Sequence, residues 1–252
     1  MSRVLAGESV GLRERYKFIQ TQLGSAQKGR GRGAPAYSIY VNRPLGRRLA
    51  AGAHMAGLSP NIVSFISAIF TFGAIATIAV VPPTVASGLV IALLLVIGYA
   101  FDSADGQVAR LRGGGTAAGE WLDHVLDCMK CSTLHLAVLI SMYVNFDLGS
   151  QLLLLVPIGF SIVSAVAFFA AILNDQLKSR YIVPAVGVGS KPSTPWRSLM
   201  GLPTDYGLLC VSFVIFGWTN LFFIVYVALF LANLGYLALA SVKWFGDMKQ
   251  LK

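Results

Sequence analysis

Residues 101–127 read FDSADGQVARLRGGGTAAGEWLDHVLD. They contain a spaced pattern, Asp102-x2-Asp105-Gly106-x2-Ala109-Arg110-x8-Gly119-x3-Asp123-x3-Asp127. Four carboxylates, one Arg and three small residues thus sit in a chain that is 56% hydrophobic and only 12% charged. Soluble domains carry about 25% charged residues. Acids are costly to hold in such apolar surroundings, so their clustering here signals function.

The surrounding sequence sets the fold class. Six apolar runs are near or above the roughly 18–20 residues of a membrane-crossing helix. They cover about 60–82, 86–110, 119–146, 150–176, 204–218 and 219–244. The last two are separated only by Gly217-Trp218-Thr219-Asn220. The expectation is an all-α integral membrane protein with six transmembrane helices. Residues 1–35 are polar and basic, and no apolar run with a cleavage site follows, so no secretory signal is read. They form an expected flexible arm, with Lys28-Gly29-Arg30-Gly31-Arg32-Gly33 at its loosest point. The membrane domain is then 36–252. Its first part, about 36–53, places Tyr37, Ile39, Tyr40, Leu45 and Leu49 among Arg43, Arg47 and Arg48. That composition predicts an amphipathic helix on the membrane surface.

The net charge is +9. Its distribution points to lipid rather than nucleic acid. With six crossings and a cytoplasmic N-terminus, every Lys and Arg except Lys130 falls on the cytoplasmic side. The opposite loops, around Pro82-Pro83, Asp147–Ser150 and Trp218–Asn220, carry none. This is the positive-inside pattern, and anionic lipid heads account for the basic arm. Cys128-x2-Cys131 lies within an apolar helix with no second pair, so both cysteines read as small packing residues.

Helical geometry organises the acids. At about 100° per residue, Asp102, Asp105, Gly106 and Ala109 share one face at the cytoplasmic end of the second span. Gly119, Asp123 and Asp127 share a face near the start of the third. A short loop, 111–118, lets the two faces meet. Four facing carboxylates repel, and divalent cations relieve that repulsion. Hard oxygen ligands suit Mg²⁺ or Mn²⁺, and two such metals can clamp a diphosphate. Gly106, Ala109 and Gly119 remove bulk where a ligand approaches backbone, and Arg110 offers a fork for phosphate oxygens. Thr116 adds a hydroxyl beside the flexible Gly113-Gly114-Gly115.

At about 5% per residue type, eight specified positions match by chance on the order of 1 in 10¹⁰. The pattern resembles, at every position, the signature of the CDP-alcohol phosphotransferase family. Ser59-Pro60-Asn61-Ile62-Val63-Ser64 is similar to the family's Thr-Pro-Asn segment, with Ser in place of Thr twice. The resemblance implies a membrane phosphotransferase of phospholipid biosynthesis. Such an enzyme moves a phosphatidyl or other phosphoalcohol group from a CDP-linked donor, here CDP-diacylglycerol, to an alcohol and releases CMP. It implies that Asp102, Asp105 and Asp123 hold metal, with Asp127 as both metal ligand and general base. Gly106 and Ala109 would make room for cytidine and Arg110 would meet the diphosphate, while Thr116, Asn61 and Ser64 would touch the nucleotide. It also implies a homodimer in the cell membrane with a cytoplasmic active site.

The acceptor is left open. Lys130 lies on the Asp123 face, one turn deeper than Asp127, and either pairs with the carboxylates or meets an acceptor phosphate. Lys178 and Arg180 are candidate acceptor contacts at the cavity mouth; otherwise they are ordinary loop charges. These cations point to an inositol phosphate or glycerol phosphate acceptor. Asp123-His124 is similar to the Asp-His form of the motif in choline and ethanolamine phosphotransferases, which use a CDP-amino-alcohol and a lipid acceptor. His124 itself is expected to turn away from the acid face, and Glu120 to serve as a polar group at the helix start. An Asp-rich prenyltransferase and a cation carrier are further readings. The absence of a second acid cluster and of an internal repeat counts against them.

Overall fold

The computed structural model describes residues 11–25, 35–181 and 204–251. The chain over these residues is helical: α1 (Leu12–Ser25), α2 (Arg43–Met55), α3 (Pro60–Val80), α4 (Val85–Leu111), α5 (Ala117–Asn145), α6 (Leu155–Tyr181), α7 (Tyr206–Ser212) and α8 (Thr219–Met248). Polar side chains set the starts. Ser59 accepts from the Ile62 amide ahead of Pro60, Thr84 and Ser87 form a reciprocal capping box, and Thr116 accepts from the Gly119 amide. These residues satisfy amides that an apolar helix end would otherwise leave unpaired.

Among the described residues, α3, α4, α5, α8 and the segment Gln151–Tyr181 are long and apolar enough to cross a membrane. The chain is an integral membrane protein. The expected fifth span differs from the rest. It is a ten-residue apolar helical segment, Tyr206–Ile215, too short to cross on its own. Its start is fixed by Asp205, whose carboxylate accepts from the Gly207 amide at 3.0 Å and from the Ser38 amide at 3.1 Å. One carboxylate therefore joins this helix to the N-terminal segment. At the far end of the segment, Gly217 packs on Thr84 and Val85, and Gly88 on Phe213.

Helices α3 and α4 pack closely. Ser67 Oγ donates to the Gly98 carbonyl at 2.8 Å, and a Cβ on Gly98 would overlap Thr71 Oγ1. Toward the other end, Phe160, Phe213, Phe216, Phe222 and Tyr226 are buried in a contiguous aromatic core. Lys178 on α6 pairs with Asp247 on α8 at 3.3 Å, so the C-terminal ends of these helices lie together.

The N-terminal region is helical in two places. Residues 12–25, read as part of a flexible arm, form α1, because Tyr16, Ile19 and Leu23 recur at helical spacing and pack in a small core with Ala50 and Ala51. The Lys28–Gly33 stretch lies outside the described residues. A helix does form across 36–53, including a π-helical turn at Ser38–Asn42. Its small-residue face (Gly46, Ala50, Ala51, Ala53) is buried, and Gly46 lies so close to α4 that a Cβ there would be 2.7 Å from Ser103 Oγ. The helix is thus docked on protein along this face. Tyr37 stacks on Tyr99 with ring centroids 6.2 Å apart.

Candidate active site

The Gly113–Gly115 loop lets α4 turn back into α5. Gly113 and Gly114 have φ of 94° and 130°, which residues with a side chain rarely adopt. This turn brings the two acid faces together. Asp102, Asp123 and Asp127 each offer a carboxylate oxygen within 4.8 Å of the others. Asp105 is oriented differently. Its carboxylate accepts from Ser64 Oγ at 2.5 Å and from the Gly106 amide.

Lys130 occupies the centre of the cluster. Its Nζ lies 2.5 Å from Asp102 Oδ1 and 2.5 Å from Asp127 Oδ1, and the residue is 6% exposed. Of the two roles left open by its position on the helix, pairing with carboxylates is the one the geometry displays. The ammonium joins α4 to α5 and offsets two of the acids.

A cavity of about 620 Å³ opens beside the acids. Asp105 and Asp123 form one wall. Gly106, Ala109 and Arg110 come from α4, Asn61 and Ser64 from α3, and Thr116 and Gly119 from the turn into α5. Every residue singled out for nucleotide contact therefore lines one space. Asn61 Oδ1 would stand 3.2 Å from a Cβ on Gly119, so glycine keeps that approach open. Thr116 serves at once as helix cap and as cavity wall. Glu120 and His124 line the cavity too, 3.8 Å apart. His124 thus faces the site more than its helical angle predicts, with its ring edge-on to Phe168.

Lys178 and Arg180 are not brought to the acids. Lys178 is drawn to Asp247, and the Arg180 guanidinium lies over its neighbour Tyr181. The cysteines form no disulfide: Cys128 is exposed and Cys131 half-buried.

A second cavity, about 180 Å³, is lined in part by Lys130. It draws His135 from α5, Ser164 from α6, Asp205 and Tyr206 from the start of α7, and Asn233 from α8. Both ring nitrogens of His135 are engaged, with Tyr226 Oη at 2.7 Å and Ser164 Oγ at 3.0 Å. Sequence reasoning passed over these residues because they come from four separate segments and form no local pattern.

The donor set at the acids is all carboxylate. It is anionic and hard, two of its members already share one cation, and it fits a divalent metal. Beside it stands a space walled by small residues and a guanidinium, suited to a phosphorylated ligand.

The family model of CDP-alcohol phosphatidyltransferase matches residues 58–241. Two solved structures of the phosphatidylinositol phosphate synthase of Mycobacterium tuberculosis have the same fold. One has CDP-DAG bound, at 17% identity and a TM-score of 0.54, covering 83% of this chain and 94% of that one. The other is in complex with manganese and citrate, at 18% identity and a TM-score of 0.53, covering 83% and 90%. No curated protein sequence matches.

Proposed function

The chain belongs to the CDP-alcohol phosphatidyltransferase family, and on that premise we propose that it transfers the phosphatidyl group of CDP-diacylglycerol to an alcohol and releases CMP. It is a membrane phosphotransferase. The observation that carries the finer reading is the meeting of three acids beside a cavity walled by the remaining motif residues. That the mycobacterial enzyme has been solved with CDP-DAG and with manganese supports the choice of donor and metal.

Asp102, Asp123 and Asp127 would hold Mg²⁺ or Mn²⁺, with Asp105 turning from Ser64 to complete a two-metal set. Such metals neutralise a diphosphate and the departing phosphate. Gly106 and Ala109 leave the α4 backbone open for cytidine, and Arg110 places its fork toward the phosphates. Asn61, Ser64 and Thr116 supply polar contacts from the opposite wall. Asp127 takes the proton of the attacking hydroxyl, a role that depends on its position. The Lys and Arg distribution supports a cytoplasmic N-terminus and first cavity in the cell membrane. It also supports reading the Tyr206–Ile215 segment as part of a sixth pass. A homodimer, and a division at residue 35, belong to the same reading.

A second reading keeps the chemistry and exchanges the substrates, with a CDP-amino-alcohol as donor and a lipid as acceptor. The presence of His124 in the cavity wall favours it. Purified protein incubated with Mn²⁺ and either labelled CDP-diacylglycerol or CDP-choline separates the two. The proposal expects CMP release from CDP-diacylglycerol in the presence of an alcohol. Release from CDP-choline with diacylglycerol alone would transfer the assignment to the second reading.

A further inference from the structure

We propose that Arg112 is a positioning residue for the CDP-linked donor: its guanidinium holds the turn before α3 and so sets Asn61 in the first cavity. The inference rests on the transferase reading above, in which Asn61 touches the nucleotide. Arg112 itself is not among the described residues that line this cavity.

Helix α2 ends at a left-handed glycine. Gly57 has φ of 73°, its amide donates to the His54 carbonyl at 3.1 Å, and the Leu58 amide donates to the Ala53 carbonyl at 2.9 Å. These bonds close the last turn of α2. The Gly57 and Leu58 carbonyls then stand ahead of α3, where the Val63 amide turns to Ser59 instead. Arg112, at the C-terminal end of α4, takes both. Its Nη2 donates to Gly57 O at 2.9 Å and to Leu58 O at 3.0 Å, across 55 and 54 residues of sequence. Apolar packing brings the partners together, since Leu58 and Leu111 lie against the same small core as Ala53, Val63 and Val108. The guanidinium stays exposed, so it ties the turn from outside that core.

The link from the held carbonyls to the cavity is short and stiff. Ser59 is extended, with φ of −72° and ψ of 155°, the conformation favoured before a proline. Pro60 fixes its own φ, and Asn61 follows. Ser59, Pro60 and Asn61 line the first cavity, as do Gly114, Gly115 and Thr116 from the turn just beyond Arg112. One side chain thus ties two connections that both supply cavity wall. Clearance there is small. A Cβ on Gly119 would lie 3.2 Å from Asn61 Oδ1 and 3.3 Å from Thr116 Oγ1. A modest shift of the turn therefore moves Asn61 relative to the α5 start and changes the space a nucleotide enters.

The test uses full-length protein in nanodiscs with Mn²⁺, titrated with soluble CDP and with CDP-diacylglycerol. Arg112→Met keeps the apolar stem and removes the N–H donors. It should weaken both ligands about fivefold, the scale of one net hydrogen bond, with a melting temperature near that of wild type. One nitrogen carries both bonds, so an ammonium can serve, and Arg112→Lys should recover most of the lost affinity. A double-mutant cycle identifies the route. If Arg112 acts through Asn61, then Arg112→Met in an Asn61→Ala background should add less than about a twofold loss. Fully additive losses overturn the proposal, because Arg112 would then act on the donor by itself. A loss for CDP-diacylglycerol without one for soluble CDP also overturns it, since the guanidinium would then serve the lipid surface. So do unchanged affinities in Arg112→Met, equal affinities in the Met and Lys variants, or an Asn61→Ala that binds both ligands as wild type does. Failure of the wild type to bind either ligand instead refutes the transferase reading of the first cavity. If Arg112→Met does not fold, Arg112→Gln takes its place in the cycle.

Discussion

Asp127 and Lys130 lie three residues apart on α5, and their side chains meet. Each has a separable consequence. Asp127→Asn keeps a polar group of the same size but removes a proton acceptor and an anionic ligand. Donor binding should remain measurable by isothermal titration while turnover falls at least 10²-fold, the usual scale for loss of a positioned base. Full turnover would remove Asp127 from the base role. Lys130→Met leaves Asp102 and Asp127 without their shared cation. Removing one partner of a buried pair costs about 3–5 kcal/mol. The variant should therefore melt earlier than wild type in metal-free detergent solution, and Mn²⁺ should restore more stability to it than to wild type. Equal melting temperatures without metal would show that the ammonium does not hold the cluster.

At the scale of the helix, the α3–α4 crossing positions one wall of the first cavity. Ser64 and Asn61 on α3 line the same cavity as Gly106 and Arg110 on α4, and the two backbones come close at Gly98. Gly98→Val forces them apart at the Ser67–Gly98 bond. Overpacking of this kind costs about 1–3 kcal/mol. The variant should lose thermal stability and bind CDP-diacylglycerol more weakly, because the opposite cavity walls separate. Unchanged stability and binding would show that the crossing relaxes freely. The helix starts were legible in the sequence, because Ser59-Pro60, Thr84 and Thr116 are local capping signals. The short Tyr206–Ile215 helix was not. Residues 204–218 are apolar throughout, and apolarity alone does not reveal that Asp205 opens a helix there by capping it while also binding the Ser38 amide.

Across the whole molecule, the Lys178–Asp247 pair gathers two helix ends at one end of the bundle, while Gly217 packs at the start of α4. An even number of passes follows if the basic C-terminus shares a side with the basic N-terminus. In a cysteine-free background, Lys249→Cys and Asp147→Cys should react with a membrane-impermeant maleimide from opposite faces of sealed vesicles. Labelling from the same face would contradict the six-pass arrangement.

The sequence by itself determined the membrane class, the acid cluster and the α4–α5 part of the first cavity's wall. These depend on residues close in the chain, where the helical period and the loop length leave little freedom. The eight-position motif, with Thr116 and the Asn61–Ser64 segment, stands in the sequence itself. What only the tertiary structure decided involves distant partners: Lys130 closing on Asp102 across 28 residues, α1 finding α2, Lys178 turning to Asp247, and His135, Ser164, Tyr206 and Asn233 enclosing one cavity. Such contacts arise from how helices stack, and helix stacking depends on side-chain shape along whole faces, which no local spacing records.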